Sequence, residues 1–218
     1  MKKLLFIFVV LFCMSVPVLA HVIPYELDKP ANEKVFWKFL VLGYKHIIPL
    51  GLDHILFILC VFFLNTNIRQ IVLQASMFTL AHSITLGLAA YGVINPSAAV
   101  VEPIIALSIL LLALENIYTT RVRPWRMLMI FLFGLVHGMG FAGALSDLGM
   151  PKNAFTEALI SFNIGVEFGQ LSIILIMYFL VAKFFSGKIW YRKRIVVPAS
   201  LIIASVAAYW TVERIFFV

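Results

Sequence analysis

Along this chain the polar positions gather into short clusters, and the stretches between them are apolar. The long runs fall at about 47–65, 69–92, 99–119, 127–148, 154–182 and 195–216. That is the length a helix needs, at ~1.5 Å per residue, to cross a ~30 Å hydrocarbon core. Nowhere do apolar and polar residues alternate over segments of about ten, as in the strands of a transmembrane barrel. The pattern therefore predicts an all-α fold, a polytopic transmembrane helical bundle of about six spans.

Two further apolar features precede the first run. Lys2 and Lys3, the stretch from Leu4 onward and the ending Val18-Leu19-Ala20 have the form of a cleaved signal peptide, so the mature chain is expected to begin at His21. An uncleaved first helix is the alternative; Pro17 and the Val-x-Ala ending favour cleavage. Next, Val35, Phe36, Phe39, Leu40 and Gly43 recur at helical spacing among Lys34, Lys38 and Lys45, which predicts a short helix lying in the membrane interface. Pro49 and Gly51 then break or bend the start of the first run. The expected organisation is a signal peptide over 1–20, a periplasmic segment with an interfacial helix over 21–46, and a six-helix transmembrane domain over 47–218.

Composition excludes a water-soluble fold. Only 12% of the 218 residues are charged and 63% are hydrophobic, with mean hydropathy +1.04, whereas soluble domains carry about 25% charged residues. The net charge of +7 indicates orientation rather than a nucleic-acid partner, because the cations lie in short connections. Arg69, then Arg121, Arg123 and Arg126, then Lys183, Lys188, Arg192, Lys193 and Arg194 occupy alternate loops, which the positive-inside rule assigns to the cytoplasm. Of the other two connections, 91–98 has no Lys or Arg and 147–153 has only Lys152. Both signals predict N-out and C-out. After cleavage Cys60 is the only cysteine, so neither a disulfide nor a thiolate metal cluster is expected.

The candidate chemistry is intramembrane. Away from their ends the runs hold no Lys or Arg, yet they contain Asp53, His54, His82, Glu102, Glu115, His137 and Glu167. An acid at the bilayer centre costs ~2.5 to 3.5 kcal/mol on the insertion scale. Acids and imidazoles without fixed cationic partners imply that the missing partner is a metal ion or a proton. His82, His137 and Glu167 fall near mid-membrane. Asp53 and His54, with His46 upstream, lie towards the outside, Glu102 near an outer end and Glu115-Asn116 near an inner end, where they could instead reach headgroups. Histidine with carboxylate suits Ni, Co or Zn better than Mg or Ca, and the lack of thiolate speaks against Cu(I). Gly134, Gly138, Gly140 and Gly143 flank His137, and Gly165 and Gly169 bracket Glu167, spacing that lets helices approach closely. Ser83 adjoins His82, and Asn163, Glu167 and Gln170 share one helix face, as supporting polar groups or as interhelical glue.

Two readings stay open. In the first, the chain is a transporter: His46, Asp53 and His54 capture a divalent ion from outside, and His82, His137 and Glu167 pass it on. No G-x-x-x-x-G-K-[ST] motif is present, so the membrane potential, worth ~2.3 kcal/mol per charge per 100 mV, would drive inward flux. In the second, the same residues hold zinc for an intramembrane hydrolase, with Glu167 or Glu102 as general base. Neither reading needs an organic cofactor. His21, at the new terminus, could add an outer ligand.

Five ordered segments carry a resemblance. They are His46-Ile-Ile-Pro-Leu-Gly-Leu-Asp53-His54, Phe78-Thr-Leu-Ala-His82-Ser83-Ile-Thr85, Val101-Glu102 through Glu115-Asn116, Phe133-Gly-Leu-Val-His137-Gly-Met-Gly, and Phe162-Asn163-Ile-Gly-Val-Glu167-Phe-Gly-Gln170. Over about residues 40 to 175 the chain resembles the HupE/UreJ family, and more closely its second branch. The resemblance implies a multi-pass bacterial inner-membrane protein, a nickel or cobalt permease with metalloenzyme maturation proteins as partners. It also implies that His46, Asp53 and His54 form the first-helix metal motif and that His137 belongs to the fourth-helix motif. This chain has six residues between His46 and Asp53, where the permease motif has five, which leaves the register of His46 open.

Overall fold

A computed structural model describes residues 32–141 and 154–217. The expected signal peptide, His21, Gly143 and the end of the expected fourth span lie outside the described residues. The elements are α1 (Asn32–Ile47), α2 (Leu52–Leu64), α3 (Ile68–Ala90), α4 (Ala98–Tyr118), α5 (Arg126–Gly140), α6 (Phe155–Phe185, with a π-wound turn at Tyr178–Ala182) and α7 (Arg192–Phe216, π-wound over Arg192–Val196). All of them are helical.

Four helices, α3, α4, α6 and α7, are long and apolar enough to cross a membrane, and α1 with α2 makes up to a fifth span as a pair bent by 67°. The expected six uninterrupted runs are thus modified in two places. At the first, the chain breaks at Ile48–Gly51 and leaves α2 with 13 residues, about 20 Å of helix at ~1.5 Å per residue and too short to span alone. At the second, α5 has 15 described residues.

Local sequence explains several of these limits. Asn67 caps α3, its side-chain oxygen accepting from the Arg69 and Gln70 amides at 3.1 and 3.4 Å. After α3 the chain turns through Gly92, at φ 75°, a conformation that glycine adopts without strain.

The helices pack as three close pairs, α1 with α6, α3 with α5 and α4 with α7, around α2, which touches α1, α3, α4, α6 and α7. A helix surrounded in this way has no solvent face to keep polar, and α2 reads Leu-Asp-His-Ile-Leu-Phe-Ile-Leu-Cys-Val-Phe-Phe-Leu. Its Phe57, Ile58, Cys60, Val61 and Phe62 are core residues.

Glycines set how close two of the pairs come. Gly43 of α1 abuts the Phe162 carbonyl of α6, and Gly165 of α6 abuts the Leu40 carbonyl of α1, so each helix presses its glycine onto the other's backbone. The helix expected to lie in the interface over 35–43 is therefore packed along α6, with Val35 and Phe39 buried. Between α3 and α5, a Cβ on Gly134 would stand 2.6 Å from the Phe78 carbonyl, and one on Gly138 would meet the His82 carbonyl.

Candidate metal centre

Four of these elements each deliver one histidine to the same place. His46 is in the last turn of α1, His54 in the first turn of α2, His82 in the second half of α3 and His137 near the end of α5. His54 is the hub: its ring centroid lies 4.7 Å from His46, 5.6 Å from His82 and 5.3 Å from His137. His46 and His82 are 6.0 Å apart. One ring nitrogen from each of His46, His54 and His82 falls in a group whose members lie within 4.8 Å of one another. The break at Ile48–Gly51 folds the end of α1 back onto the start of α2, so that His46 lies beside His54 despite the extra residue.

These nitrogens are free to act as metal ligands. The Nε2 atoms of His46, His54, His82 and His137 are all buried without a hydrogen-bond partner, as is Nδ1 of His82. Buried polar atoms are rarely left this way, since each costs ~1–3 kcal/mol of desolvation. At His137 the tautomer follows from geometry. Its Nδ1 lies 2.8 Å from the Phe133 carbonyl, which can only accept, so Nδ1 carries the hydrogen and the Nε2 lone pair faces inward. A backbone carbonyl orienting a histidine in this way is a usual outer-shell arrangement at metal sites.

Aromatic rings close the cluster off. Phe78 stacks on His82 at 6.2 Å and meets His137 edge-on at 4.9 Å, Phe57 lies 5.3 Å from His137, and Phe141 lies 3.9 Å from His46. These phenylalanines line the site but were not among the expected site residues, because phenylalanine at helical spacing is also what a lipid-facing surface contains. His82 is fully buried.

The carboxylates are placed differently from the sequence expectation. The premise that intramembrane acids lack fixed cationic partners is corrected at Asp53 and Glu115. Nη2 of Arg214, in the last turn of α7, donates to both carboxylate oxygens of Asp53 at 3.1 Å. Glu115 is paired with Arg126 rather than with headgroups, and Arg126 is itself fully buried instead of exposed in a loop. Arg126 also donates to Gln74 Oε1 at 3.0 Å and to the Cys60 carbonyl at 3.2 Å, and Asn116 donates to the same carbonyl at 2.9 Å. Arg214 had a readable signal: in the orientation expected from sequence, an arginine at that end of the last span runs against the positive-inside pattern.

Glu167 also lies apart from the histidines. Its Oε1 accepts from Ser76 at 2.6 Å, and it lines a cleft of about 370 Å³ between α3 and α6 with Ser76, Thr79, Ser83 and Asn163. Ser83 donates to the Thr79 carbonyl at 2.6 Å and Asn163 to the Leu159 carbonyl at 2.8 Å. Asn163 also neighbours the His82 ring. Glu102 contributes its backbone carbonyl to Arg214 at 3.2 Å. Gln170 is fully buried, with neither side-chain atom partnered among the described residues.

A family model described as HupE / UreJ protein matches residues 24–214. The chain belongs to the HupE/UreJ family. No curated protein matches it, and no solved structure does either. Membership of the HupE/UreJ family together with the apolar helices makes this a membrane protein, and the histidine cluster is its most concentrated group of potential metal ligands among the described residues.

Proposed function

We propose that the protein is a permease that carries a divalent transition-metal ion, nickel or cobalt, from the periplasm into the cytoplasm. It would lie in the bacterial inner membrane with both ends of the mature chain outside, after cleavage of residues 1–20. The observation that carries this reading is the convergence of His46, His54 and His82 from three helices, with their ligand atoms within 4.8 Å of one another and their Nε2 atoms unpartnered. His137 supplies a fourth imidazole. A tetrahedral ion at ~2.0–2.1 Å from each nitrogen would draw them to roughly 3.4 Å apart, so loading needs only small ring movements.

The donor set suits transport. Neutral imidazoles bind borderline ions such as Ni²⁺, Co²⁺ and Zn²⁺ without cancelling their charge, and a transport site must release what it binds. Asp53 adds the carboxylate nearest in sequence, beside His54. Placing Glu102 and Glu167 away from the cluster favours this reading over an intramembrane zinc hydrolase, which needs a general base against the metal-bound water. Among the described residues Glu167 engages Ser76, and Glu102 lies beside Arg214.

The test is ⁶³Ni²⁺ uptake into proteoliposomes holding the purified protein, competed with Co²⁺ and Zn²⁺, with bound metal counted on the same samples. Saturable uptake that disappears in His54→Ala and His82→Ala supports the permease. Tightly held zinc without flux would refute it and return the hydrolase.

A further inference from the structure

Asp53 and Arg214 form an ion pair at the edge of the histidine cluster. The carboxylate is one residue from His54, and both its oxygens accept from the single Nη2 of Arg214 at 3.1 Å. Nη1 donates to the Glu102 carbonyl at 3.2 Å, and the guanidinium lies over the Trp210 ring, 5.2 Å from its centroid. The charge of Arg214 is also within electrostatic reach of His137. The pair is partly accessible, at 17% for Arg214 and 27% for Asp53, while His82 is fully buried. An ion approaching from this side therefore meets the pair before His54, His82 and His137, which are buried.

We propose that Arg214 is a tethered counter-cation that occupies Asp53 until a divalent ion displaces it, so that the pair acts as a charge filter for the metal centre. This rests on the permease reading above. In the resting state Asp53 is neutralised. When a dication reaches the imidazoles, Asp53 turns from the guanidinium to become its oxygen ligand, and Arg214 stays on α4 through Glu102, whose carboxylate makes no hydrogen bond or ion pair among the described residues. The exchange breaks the two hydrogen bonds from Nη2 to Asp53 and forms one metal–oxygen bond with no proton transferred, while the guanidinium keeps the Glu102 carbonyl and the Trp210 ring. A monovalent ion offers Asp53 no more charge than the guanidinium it would replace, and it forfeits the hydrogen bonds as well. A dication offers twice the charge, supplemented by nitrogen ligands, and so the exchange discriminates by valence.

The test is a thermodynamic cycle on the purified full chain, titrated with Co²⁺ alone and read by its visible ligand-field absorption, with His54→Ala as the control for binding at the cluster. In wild type the metal must break the ion pair, so Arg214→Gln is expected to tighten Co²⁺ binding by about ten- to hundredfold, the weight of a charge-assisted hydrogen bond. In an Asp53→Asn background Arg214→Gln should change affinity by less than about threefold, because little is left to displace. Unchanged or weaker binding in Arg214→Gln overturns the proposal. Equal tightening in both backgrounds also overturns it, since Arg214 would then only repel the ion. A wild type that binds no Co²⁺ at the cluster sinks the permease reading first, which separates the two failures.

Trp210 supplies a readout that does not depend on an Arg214 variant folding. Zn²⁺, which does not absorb in the visible, should change the Trp210 contribution to fluorescence, obtained by difference from Trp210→Phe, as it saturates the cluster. Zn²⁺ binding with no change at Trp210 overturns the displacement.

Discussion

The pairing of Arg126 with Glu115 joins more elements than any other polar contact described here, and removing either side chain has a calculable consequence. Arg126 opens α5, Glu115 belongs to α4, Gln74 to α3 and Cys60 to α2, so one guanidinium links four helices. In Glu115→Ala the guanidinium keeps Gln74 Oε1 and the Cys60 carbonyl but loses its counter-charge. An unpaired arginine within a bundle costs ~2.5–3.5 kcal/mol on the insertion scale, and the two surviving acceptors reduce this to about 2–3 kcal/mol. In Arg126→Ala the Cys60 carbonyl keeps Asn116 as donor, but Glu115 and Gln74 are both left unsatisfied and a cavity opens. Breaking a buried pair in that way costs ~3–5 kcal/mol. In Glu115→Ala/Arg126→Ala neither charge remains, so the double variant should lose less than the sum of the two single losses, with a coupling of at least ~1.5 kcal/mol. Thermal unfolding in detergent, followed by circular dichroism alongside size-exclusion recovery, would measure all three. Additive losses within about 0.5 kcal/mol, or a Glu115→Ala protein as stable as wild type, would refute the assignment of the network as a structural clasp.

Other substitutions probe packing and the limits of the centre. Gly165→Ala puts a Cβ against the Leu40 backbone, so separating α1 from α6 should cost ~1–3 kcal/mol; an unchanged melting temperature would contradict the close approach. Cys60 is fully buried, and in a Cys13→Ser background its thiol should react with maleimide only as fast as the bundle unfolds; rapid labelling of that folded variant would mean that α2 is not central. Glu167→Gln keeps an acceptor for Ser76 and lies off the cluster, so Co²⁺ affinity should stay within about twofold of wild type. A tenfold loss would bring Glu167 back among the ligands.

The sequence revealed the helices wherever an apolar run faced either lipid or other apolar helices, since both environments select the same residues. It also placed His82 and His137 at a shared depth, because depth follows from rise per residue once a span is located. It set His54 further out and Glu167 beside the pair, whereas the break before α2 brings His54 against both rings and Glu167 pairs with Ser76. It did not reveal α1 correctly. Val35, Phe39 and Gly43 mark an apolar face, but periodicity does not specify what that face touches, and here it is the backbone of α6 rather than a lipid interface. Arg126 was misread, and Arg214 passed over, for a related reason. A sequence position locates the Cα of Arg126 or Arg214 at a span end, whereas a long side chain can carry its charge several ångströms inward and pair with an acid that otherwise looks solitary.

On the permease reading, the arrangement of charge along the bundle bears directly on how an ion could pass. Glu102 and Glu115 are thirteen residues apart on α4, roughly 20 Å at ~1.5 Å per residue, and each stands beside a guanidinium. Arg214 holds Asp53 near one of them and Arg126 holds Glu115, and the histidines of α1, α2, α3 and α5 gather beside Asp53. With these pairs intact, the cluster offers lone pairs but no net negative charge. In a low-dielectric interior such a site binds a dication too weakly to trap it and needs one anion to hold it at all. Glu115 cannot readily serve, because releasing it would strand a fully buried arginine. Asp53 can, because its partner is partly solvated and remains beside Glu102 after letting go. The difference in burial between two otherwise similar ion pairs thus assigns them different roles: the Arg126 pair keeps the helices together, and the Arg214 pair is the one that can open for an ion.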